Sequence, residues 1–500
     1  MELFQDYFNR QKTRIFSFFL CVSLFFCLMI FSSCNNIGSF AKFGQDFVSD
    51  DMLVMIYVSG ANSLNNEVIM DINSMERGLF AAREKGFANL KVVALVDKDS
   101  PVGSESWTGT RLYEITPSNS DFSSTKINSK VIETASNSLG LWRDNPDKEE
   151  DMGNIKTLEN FVLWATENYP YYKKHALILW NHGGGVYSDY KPNYFICTDN
   201  ESGSTAQSLD NALYIGEISE LLDKCFTSEN KLDFLGFDAC FMGMYEIAYQ
   251  FRNSVKYMAF SPATEWGGWN YEYIFSQDDS YLSGKNFAIN VVDGYKEAYS
   301  LFYPNTMTAV DLQFASELKE NIDNLSYYLG LEFEQDSTKT RDNFIKLQNY
   351  AVALHEKNKY FQENLLNYPY FELGSLLDCF SNKNETLKSK VIFSFEVEHA
   401  SLKTKYTLQK MILKTWLGGN YGKSYLVKSQ SDSSSVFEEN IPYGISIFFS
   451  NKKNFSSQGF YSSEKTGTEG VLGYGCIEAA NKTDNGKIDT WYELQCALYE

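Results

Sequence analysis

The segment Leu232–Phe251, LDFLGFDACFMGMYEIAYQF, constrains the fold of this chain more than any other stretch. Its first half is an apolar run through Phe237 that leads to Asp238-Ala239-Cys240, which is typical of a buried strand. Its second half has apolar and aromatic residues at helical spacing, namely Phe241, Met244, Tyr245, Ala248 and Phe251. This change of period predicts that Cys240 lies where a strand ends and a helix begins. Because a helix N-terminus carries positive potential, we expect it to lower the pKa of the Cys240 thiol.

A second predicted strand ends in a histidine, and the chain has only four histidines. His182 stands in LILWNHGGG, directly after the apolar run Ala176–Trp180, and the glycines 183–185 allow close backbone approach beside it. A cysteine after an apolar strand is usually a small core residue, and a lone histidine is usually structural. Two strand ends that each deliver one reactive side chain are, however, how an open parallel sheet builds a site. The parallel placement favours a reactive pair.

These two motifs resemble those of the caspase-like cysteine peptidases. LILWNHGGG and DFLGFDACFMGMYEIAYQ are similar to the clostripain family in particular, and the similarity extends through MGNIKTLENFVLWATENYP, SPATEWGGWNYEYIF and, more weakly, YGISIFFS. It covers most of Asp51–Tyr303 and extends loosely over the remainder. The resemblance implies an α/β fold, a caspase-like α/β/α sandwich with a mostly parallel sheet.

The resemblance also implies roles for individual residues. Cys240 becomes the nucleophile and His182 the general acid–base, and the backbone N–H groups of Gly183 and Cys240 stabilise the oxyanion. In clostripain-like enzymes the acid that matches Asp238 pairs with an arginine or lysine at P1, the substrate residue before the cleaved bond. A helix cap or turn is the alternative role for this aspartate. Some family members carry a second acid after the next strand, where EWGGWN offers only Glu265.

The N-terminus has the pattern of a targeting segment. Arg10, Lys12 and Arg14 precede the uncharged stretch Ile15–Phe31, and small residues then lead to Cys34. This resembles a bacterial lipoprotein signal peptide, residues 1–33, with lipid attached to the Cys34 thiol after cleavage. The alternative is an uncleaved membrane anchor of marginal length. Both predict an exported protein held at the membrane, and the first predicts a lipid anchor in the bacterial cell envelope.

Five hundred residues exceed what one hydrophobic core usually holds, so two domains are expected. After a linker at 34–50, we predict a peptidase domain at 51–303 and a C-terminal α+β domain at 304–500. The predicted strands are Met52–Val58, Leu90–Val96, Arg111–Ile115, Ala176–Trp180, Lys256–Ser261, Thr306–Leu312 and Tyr443–Ser450. The predicted helices are Asn65–Lys85, Thr157–Tyr169, Phe314–Leu331 and Arg341–Glu356.

Charge and cysteine content exclude several function classes. A formal charge of −20 argues against nucleic acid as a partner, since phosphates would be repelled. No cysteine pair has CxxC spacing, so neither a zinc knuckle nor a thioredoxin motif is present. The chemistry requires no cofactor.

The long polar segment between the two motifs carries two further predictions. Asp199, Glu201 and Asp210 are candidate calcium ligands, although their spacing matches no EF-hand loop and solvated acids are the favoured interpretation. The resemblance also suggests activation cleavage in this segment, with Lys224 and Lys231 as candidate positions.

Two functions from different classes fit the sequence. The first is a surface-tethered cysteine endopeptidase that acts on proteins or peptides and prefers basic P1 residues. The second is a catalytically retired lipoprotein that serves as a binding or adhesion module. The joint presence of Cys240, His182 and Asp238 favours the peptidase.

Overall fold

A nine-stranded sheet forms the centre of the computed structural model. Residues 50–500 make one compact unit, which is described from 51 to 499. Within that range the structure leaves undescribed residues 88, 133–148, 187–194, 200–211, 278–281, 300–304, 349, 352–369, 383–386, 388–389, 419–442, 450–464, 467–470, 473–476, 482 and 484. Cys34 and the predicted signal and linker lie outside the described residues. In the part of the chain that is described, no helix is long and apolar enough to span a bilayer.

The strands and helices are numbered in chain order. The strands are β1 Met52–Ser59, β2 Leu90–Lys98, β3 Gly109–Glu114, β4 Lys130–Val131, β5 Lys174–Trp180, β6 Phe195–Thr198, β7 Ala212–Tyr214, β8 Leu232–Asp238, β9 Val255–Phe260, β10 Asn305–Asp311, β11 Tyr370–Glu372, β12 Ile412–Gly418, β13 Ser446–Phe448, β14 Lys465–Thr466 and β15 Val471–Leu472. The helices are α1 Glu67–Glu84, α2 Ile155–Asn168, α3 Ile215–Cys225, α4 Tyr245–Gln250, α5 Tyr271–Phe275, α6 Gly284–Ala298, α7 Ala315–Gln335, α8 Ser337–Gln348, α9 Leu373–Phe380, α10 Phe395–Met411 and α11 Trp491–Tyr499.

The order of strands in the sheet is β12-β10-β9-β8-β5-β1-β2-β3-β4. The five central strands, β2, β1, β5, β8 and β9, are parallel, and the flanking strands are antiparallel. Parallel neighbours need helical crossovers, which cover both faces of the sheet. The predicted α/β fold with a mostly parallel sheet is confirmed.

Side chains alternate between two cores, one on each face of the sheet. In β1, Leu53, Met55 and Tyr57 enter one core, and the residues between them enter the other. The first core is built with α2, α3 and α7, and the second with α1, α5 and α6. Burial on both faces explains why the central strands are almost continuously apolar in sequence.

The C-terminal region differs from the predicted separate domain. Strand β10 pairs with β9, and β12 pairs with β10, so both belong to the central sheet. Residue 303 is therefore not a boundary between compact units, and the region after it completes the same sandwich. The strand predicted at 306–312 is present as β10. The sequence does not show whether such a strand joins the existing sheet or starts a separate one, and this is why a second domain was predicted.

Candidate active site

Strands β5 and β8 bring the two predicted site residues, His182 and Cys240, to the same edge of the sheet. They pair in parallel register, with Trp180 opposite Asp238. The Asn181 amide then donates to the Asp238 carbonyl at 3.2 Å, which continues the pairing by one residue. His182 and Cys240 each follow two residues after the last register pair. The sheet geometry thus brings together the histidine and the cysteine that the sequence motifs single out.

Gly183 packs directly on the cysteine. A Cβ atom at this position would lie 2.5 Å from the Cys240 carbonyl oxygen and 2.9 Å from the Met242 side chain. Since real Cβ atoms do not come this close to backbone, the position requires glycine. Gly183, which is predicted to share the oxyanion site, therefore packs against the backbone of Cys240.

Cys240 does not stand at a helix N-terminus, so that prediction is wrong. Helix α4 begins only at Tyr245, and Phe241 adopts a positive φ of 62°. The backbone of the intervening turn pairs with the segment after β9: the Phe241 amide donates to the Ala263 carbonyl at 3.0 Å, and Gly243 donates to Ser261 at 2.7 Å. These hydrogen bonds replace those of the helix turn that side-chain spacing predicted.

The environment of the thiol favours its neutral form. Burial raises the pKa of Cys240 to about 12, and the nearby Glu265 and Asp238 carboxyl groups act in the same direction. The Glu265 amide, which donates to Cys240 Sγ at 3.2 Å, offsets part of this effect. The sequence predicted a lowered pKa, and the reversal follows from the absent helix terminus together with desolvation.

His182 is half-buried and oriented by a loop that the sequence did not single out. Ser63 Oγ, in the turn between β1 and α1, lies 2.7 Å from His182 Nε2. The His182 amide donates to Asn181 Oδ1, and Asn181 Nδ2 donates to the Ser59 carbonyl and, at 3.1 Å, to that of Thr198. Burial lowers the pKa of His182, so the imidazole is neutral at neutral pH and available as a base.

Asp238 and Glu265 lie together beside the cysteine. Asp238 Oδ2 accepts hydrogen bonds from the Tyr271 hydroxyl at 2.7 Å and the Trp269 amide at 3.2 Å. Burial raises the pKa of Asp238 to about 7. The Glu265 carboxyl oxygens are shielded from solvent, and its pKa is raised well above the usual value by burial and by Asp238. Both acids predicted for the P1 pocket are thus adjacent to each other.

A third acid, Asp71 of α1, also faces this place. Asp71 Oδ2 accepts a hydrogen bond from Trp180 Nε1 at 2.7 Å. Burial and the charge of Asp238 raise its pKa well above the usual value. No spacing in the sequence could have found Asp71, because it stands more than 160 residues before Asp238 on a helix whose pattern indicates only burial.

Asp199, one of the candidate calcium ligands, lies in another carboxylate group. Its ligand atoms fall within 4.8 Å of those of Asp97 and Glu149, an all-oxygen set of the kind that calcium prefers. Asp199 Oδ2 also accepts a hydrogen bond from the Met152 amide at 2.9 Å. Glu201 and Asp210 lie outside the described residues.

The C-terminal region contacts the catalytic turns directly. The Tyr370 hydroxyl donates to the Gly184 carbonyl at 2.6 Å, and the Ser446 amide donates to that of Gly243 at 2.9 Å. Strands β11 and β13, to which these residues belong, pair with each other. The turns after His182 and Cys240 are therefore fixed by residues about 200 positions further along the chain.

The fold and the site together place a cysteine and a histidine just after the ends of adjacent parallel strands in an α/β/α sandwich, which is the arrangement that the two sequence motifs predicted for a cysteine peptidase. The chain belongs to the clostripain family, whose model matches residues 56–468. Clostripain from Hathewaya histolytica is 28% identical over 487 residues, which span 88% of this chain and 85% of that protein. The protein is thus a clostripain-family cysteine protease, a hydrolase that acts on proteins or peptides.

Two solved structures share the fold. A secreted C11 cysteine protease from Bacteroides thetaiotaomicron, in complex with an irreversible peptide inhibitor, superimposes with a TM-score of 0.53 at 18% identity and covers 86% of this chain and 99% of its own. An inactive zymogen C11 protease from Parabacteroides distasonis gives 0.52 at 18% identity and covers 80% and 92%.

Proposed function

We propose that this protein is an endopeptidase that cleaves after arginine or lysine, with Cys240 as nucleophile and His182 as general acid–base. The observation that carries the proposal is the position of Asp238 and Glu265, two buried carboxyl groups that both act on the pKa of Cys240. Buried acids next to a nucleophile suit a substrate side chain of opposite charge.

In the proposed mechanism the thiol loses its proton as it attacks. With Nε2–H donated to Ser63 Oγ, the lone pair on His182 Nδ1 accepts the Cys240 proton while Sγ bonds to the substrate carbonyl carbon. The negative charge that develops on the carbonyl oxygen is met by the backbone N–H groups of Gly183 and Cys240.

The reaction then proceeds in two stages, formation of a thioester on Cys240 and hydrolysis of that thioester. The imidazolium of His182 gives its proton to the leaving amine as the C–N bond breaks, which leaves a thioester on Cys240. His182 next takes a proton from water, the resulting hydroxide attacks the thioester, and the thiol is restored when the C–S bond breaks. Each proton that His182 accepts is returned, so the cycle is balanced.

Substitution of the two acids tests the specificity. Asp238→Asn should lower kcat/KM for arginyl substrates by about 2–5 kcal/mol of transition-state binding, the scale of a broken buried charge pair. Glu265→Gln should have a smaller effect in the same direction, and substrates with leucine at P1 should change little. An equal loss on arginine, lysine and leucine would mean that Asp238 only holds the 269–271 segment, and basic specificity would be wrong.

Covalent labelling distinguishes an active peptidase from the alternative, a catalytically retired lipoprotein that serves as a binding or adhesion module. An irreversible peptidyl-arginine thiol reagent should modify the wild-type protein at Cys240 and leave Cys240→Ala unmodified. A wild-type protein that is folded yet neither labelled nor active on arginyl or lysyl amides would favour the binding module.

We further propose that a lipid on Cys34 tethers the protein to the bacterial cell envelope, outside the cytoplasm. The support is the sequence pattern of residues 1–34. Full-length protein should incorporate labelled fatty acid and partition into detergent, and Cys34→Ser should lose the label. A mature N-terminus upstream of Cys34 would instead support the uncleaved anchor.

Calcium binding also stays a prediction, for which loss of thermal stability on chelation is the measurement.

A further inference from the structure

Three carboxyl groups from three separate elements converge behind the nucleophile. Asp71 comes from α1, Asp238 from the end of β8, and Glu265 from the segment after β9. Gly268 packs against Asp71, and its neighbour Trp269 donates its amide to Asp238 at 3.2 Å. The charge of Asp238 raises the pKa of both other acids. We call these three residues the acid triplet.

The hydrogen bonds of the acid triplet leave much of its charge uncompensated. Asp71 and Asp238 each have one oxygen bonded to neutral donors, Trp180 for the first and Tyr271 with Trp269 for the second. Both Glu265 carboxyl oxygens are shielded from solvent, and the groups that act on them most directly are the Asp238 carboxyl, the Ala239 amide and the Trp269 indole. The Ala239 amide and the Trp269 indole offset the Glu265 charge only in part.

No basic side chain of the described residues neutralises the triplet. The ion pairs within 4.0 Å in that part of the chain include none of these three acids. Buried acids that lack a cation are costly in a folded protein and are kept at functional sites. Retained protons lower this cost in the free protein, and an incoming cation would lower it for the ionised acids.

The surroundings of Asp71 hold its carboxyl in place. A Cβ on Gly268 would lie 2.5 Å from Asp71 Oδ2, so the tryptophan–glycine loop reaches Asp71 only because this residue is glycine. The Tyr299 hydroxyl fixes that loop by donating to the Gly268 carbonyl at 2.6 Å. Asp71 therefore packs against the same loop whose next residue, Trp269, donates its amide to Asp238.

We propose that Asp71 is a specificity-determining residue, the third acid of the P1 pocket, and that the triplet selects a guanidinium over an ammonium group and releases protons when it binds one. This inference rests on the proposed basic specificity. Three carboxyl groups on different sides offer more acceptors than a point charge can use, whereas a guanidinium presents five donors in a plane.

Proton release follows from the charge balance of the triplet. Three close carboxyl groups in a low-dielectric site cannot all ionise, so the free pocket retains protons at neutral pH. A bound cation favours the ionised forms, and protons leave. The titratable and charged groups that face the triplet are Glu67 on α1, Cys240, Tyr271, Tyr295 and Tyr299.

The first test uses arginyl and citrullyl amide substrates, which differ in charge but hardly in shape. In Asp71→Asn, which keeps an oxygen for the Trp180 indole, the arginyl-to-citrullyl ratio of kcat/KM should fall by about tenfold or more. The arginyl-to-lysyl ratio should fall with it. Glu84→Gln removes the same charge from the exposed end of α1 and should leave both ratios unchanged.

Two results of this test have separate meanings. If the wild-type protein prefers arginyl to citrullyl substrates and Asp71→Asn keeps the same preference, the role of Asp71 is overturned while the proposed function stands. If the wild-type protein prefers neither arginyl nor lysyl substrates to citrullyl ones, the proposed basic specificity itself falls, and this inference with it. A preference for lysyl substrates alone would overturn this inference and leave the proposed function standing.

The second test does not depend on the folding of an Asp71 variant. A peptide amide that ends in arginine is titrated into Cys240→Ala by calorimetry at pH 7, in two buffers with different ionisation enthalpies. The difference between the binding enthalpies observed in the two buffers gives the number of protons released. It should show net proton release for the arginine peptide and none for its citrulline counterpart. Binding of the arginine peptide without proton release would overturn the proposal.

Discussion

Among single residues, the protonation state of the Cys240 thiol decides how the proposed reaction begins. Burial raises the pKa of Cys240 to about 12, so the free enzyme at neutral pH holds a thiol and not a preformed thiolate. Alkylation by iodoacetamide, which reacts with thiolate, should therefore accelerate continuously between about pH 6 and pH 10. Inactivation rates across this range, with peptide mass analysis at Cys240, provide the measurement. A plateau at neutral pH would indicate a stable thiolate–imidazolium pair.

Ser63 gives a second prediction at this scale. Its hydroxyl lies 2.7 Å from His182 Nε2, so Ser63→Ala should free the imidazole to rotate and lower kcat by about tenfold. Ser63→Thr keeps the hydroxyl and should recover most of the activity. KM should hardly change, because Ser63 bonds the histidine and is not one of the residues proposed to bind the substrate. The acid limb of the pH–rate profile should move if loss of the hydroxyl lets water reach the imidazole, since burial is what lowers the pKa of His182. If Ser63→Ala keeps the wild-type kcat and pH profile, Ser63 does not position the histidine.

The difference between predictable and unpredictable site residues is one of sequence distance. Cys240 and His182 stand at the ends of apolar strands, so local pattern and parallel topology together predict that they meet. Ser63 is 119 residues from its histidine, and Asp71 is 109 residues from the tryptophan that bonds it. Both contacts depend on how α1 and its preceding turn pack on the sheet, which no local pattern records.

At the scale of elements, the turn after Cys240 shows where a periodic pattern misleads. Residues 241 to 251 have helical spacing, but the first turn of that helix is absent because the backbone of 241–243 pairs with 261–263. Tertiary hydrogen bonds from the segment after β9 outweigh the local preference. The core strands were predictable for the opposite reason, since burial on both faces leaves its full signature in the sequence.

Gly243 tests this account of the turn. A Cβ there would lie 2.4 Å from the Pro262 nitrogen, so Gly243→Ala should push apart the two paired segments and cost about 1–3 kcal/mol of stability, as overpacking does. Activity should fall as well, because Cys240 moves with its turn. Gly294→Ala, in α6 with its nearest contact at 3.1 Å, is the matched control and should keep its melting temperature within a few degrees. A Gly243→Ala protein with wild-type melting temperature and kcat/KM would show that the close packing is unimportant.

At the scale of the whole molecule, the active site opposes the stability of the fold. Its buried acids have raised pKa values because the folded state desolvates them, and Asp238 reaches about 7. Burial likewise raises the pKa of Glu372 to about 7. This residue caps α9 and accepts a hydrogen bond from the Tyr443 amide. A folded-state pKa above the unfolded value means that the folded protein binds more protons. Proton binding by Asp238 and Glu372 therefore favours the folded state. This contribution to the free energy of unfolding is fully present below about pH 4 and is lost as pH rises through about 7.

Asp238→Asn should separate the contribution of the site from that of the rest of the protein. The asparagine cannot ionise and keeps an oxygen for the Tyr271 hydroxyl, so it removes the cost of the buried charge and little else. At pH 4 the variant and the wild-type protein should have nearly equal free energies of unfolding. The variant should become the more stable one as pH rises, by up to about 4 kcal/mol at pH 8, since each unit of pKa shift corresponds to about 1.4 kcal/mol. Denaturant unfolding at several pH values gives the difference directly. A difference that stays constant from pH 4 to pH 8 would mean that Asp238 is already ionised at acid pH in the folded protein, and the stability cost assigned to its burial would be wrong.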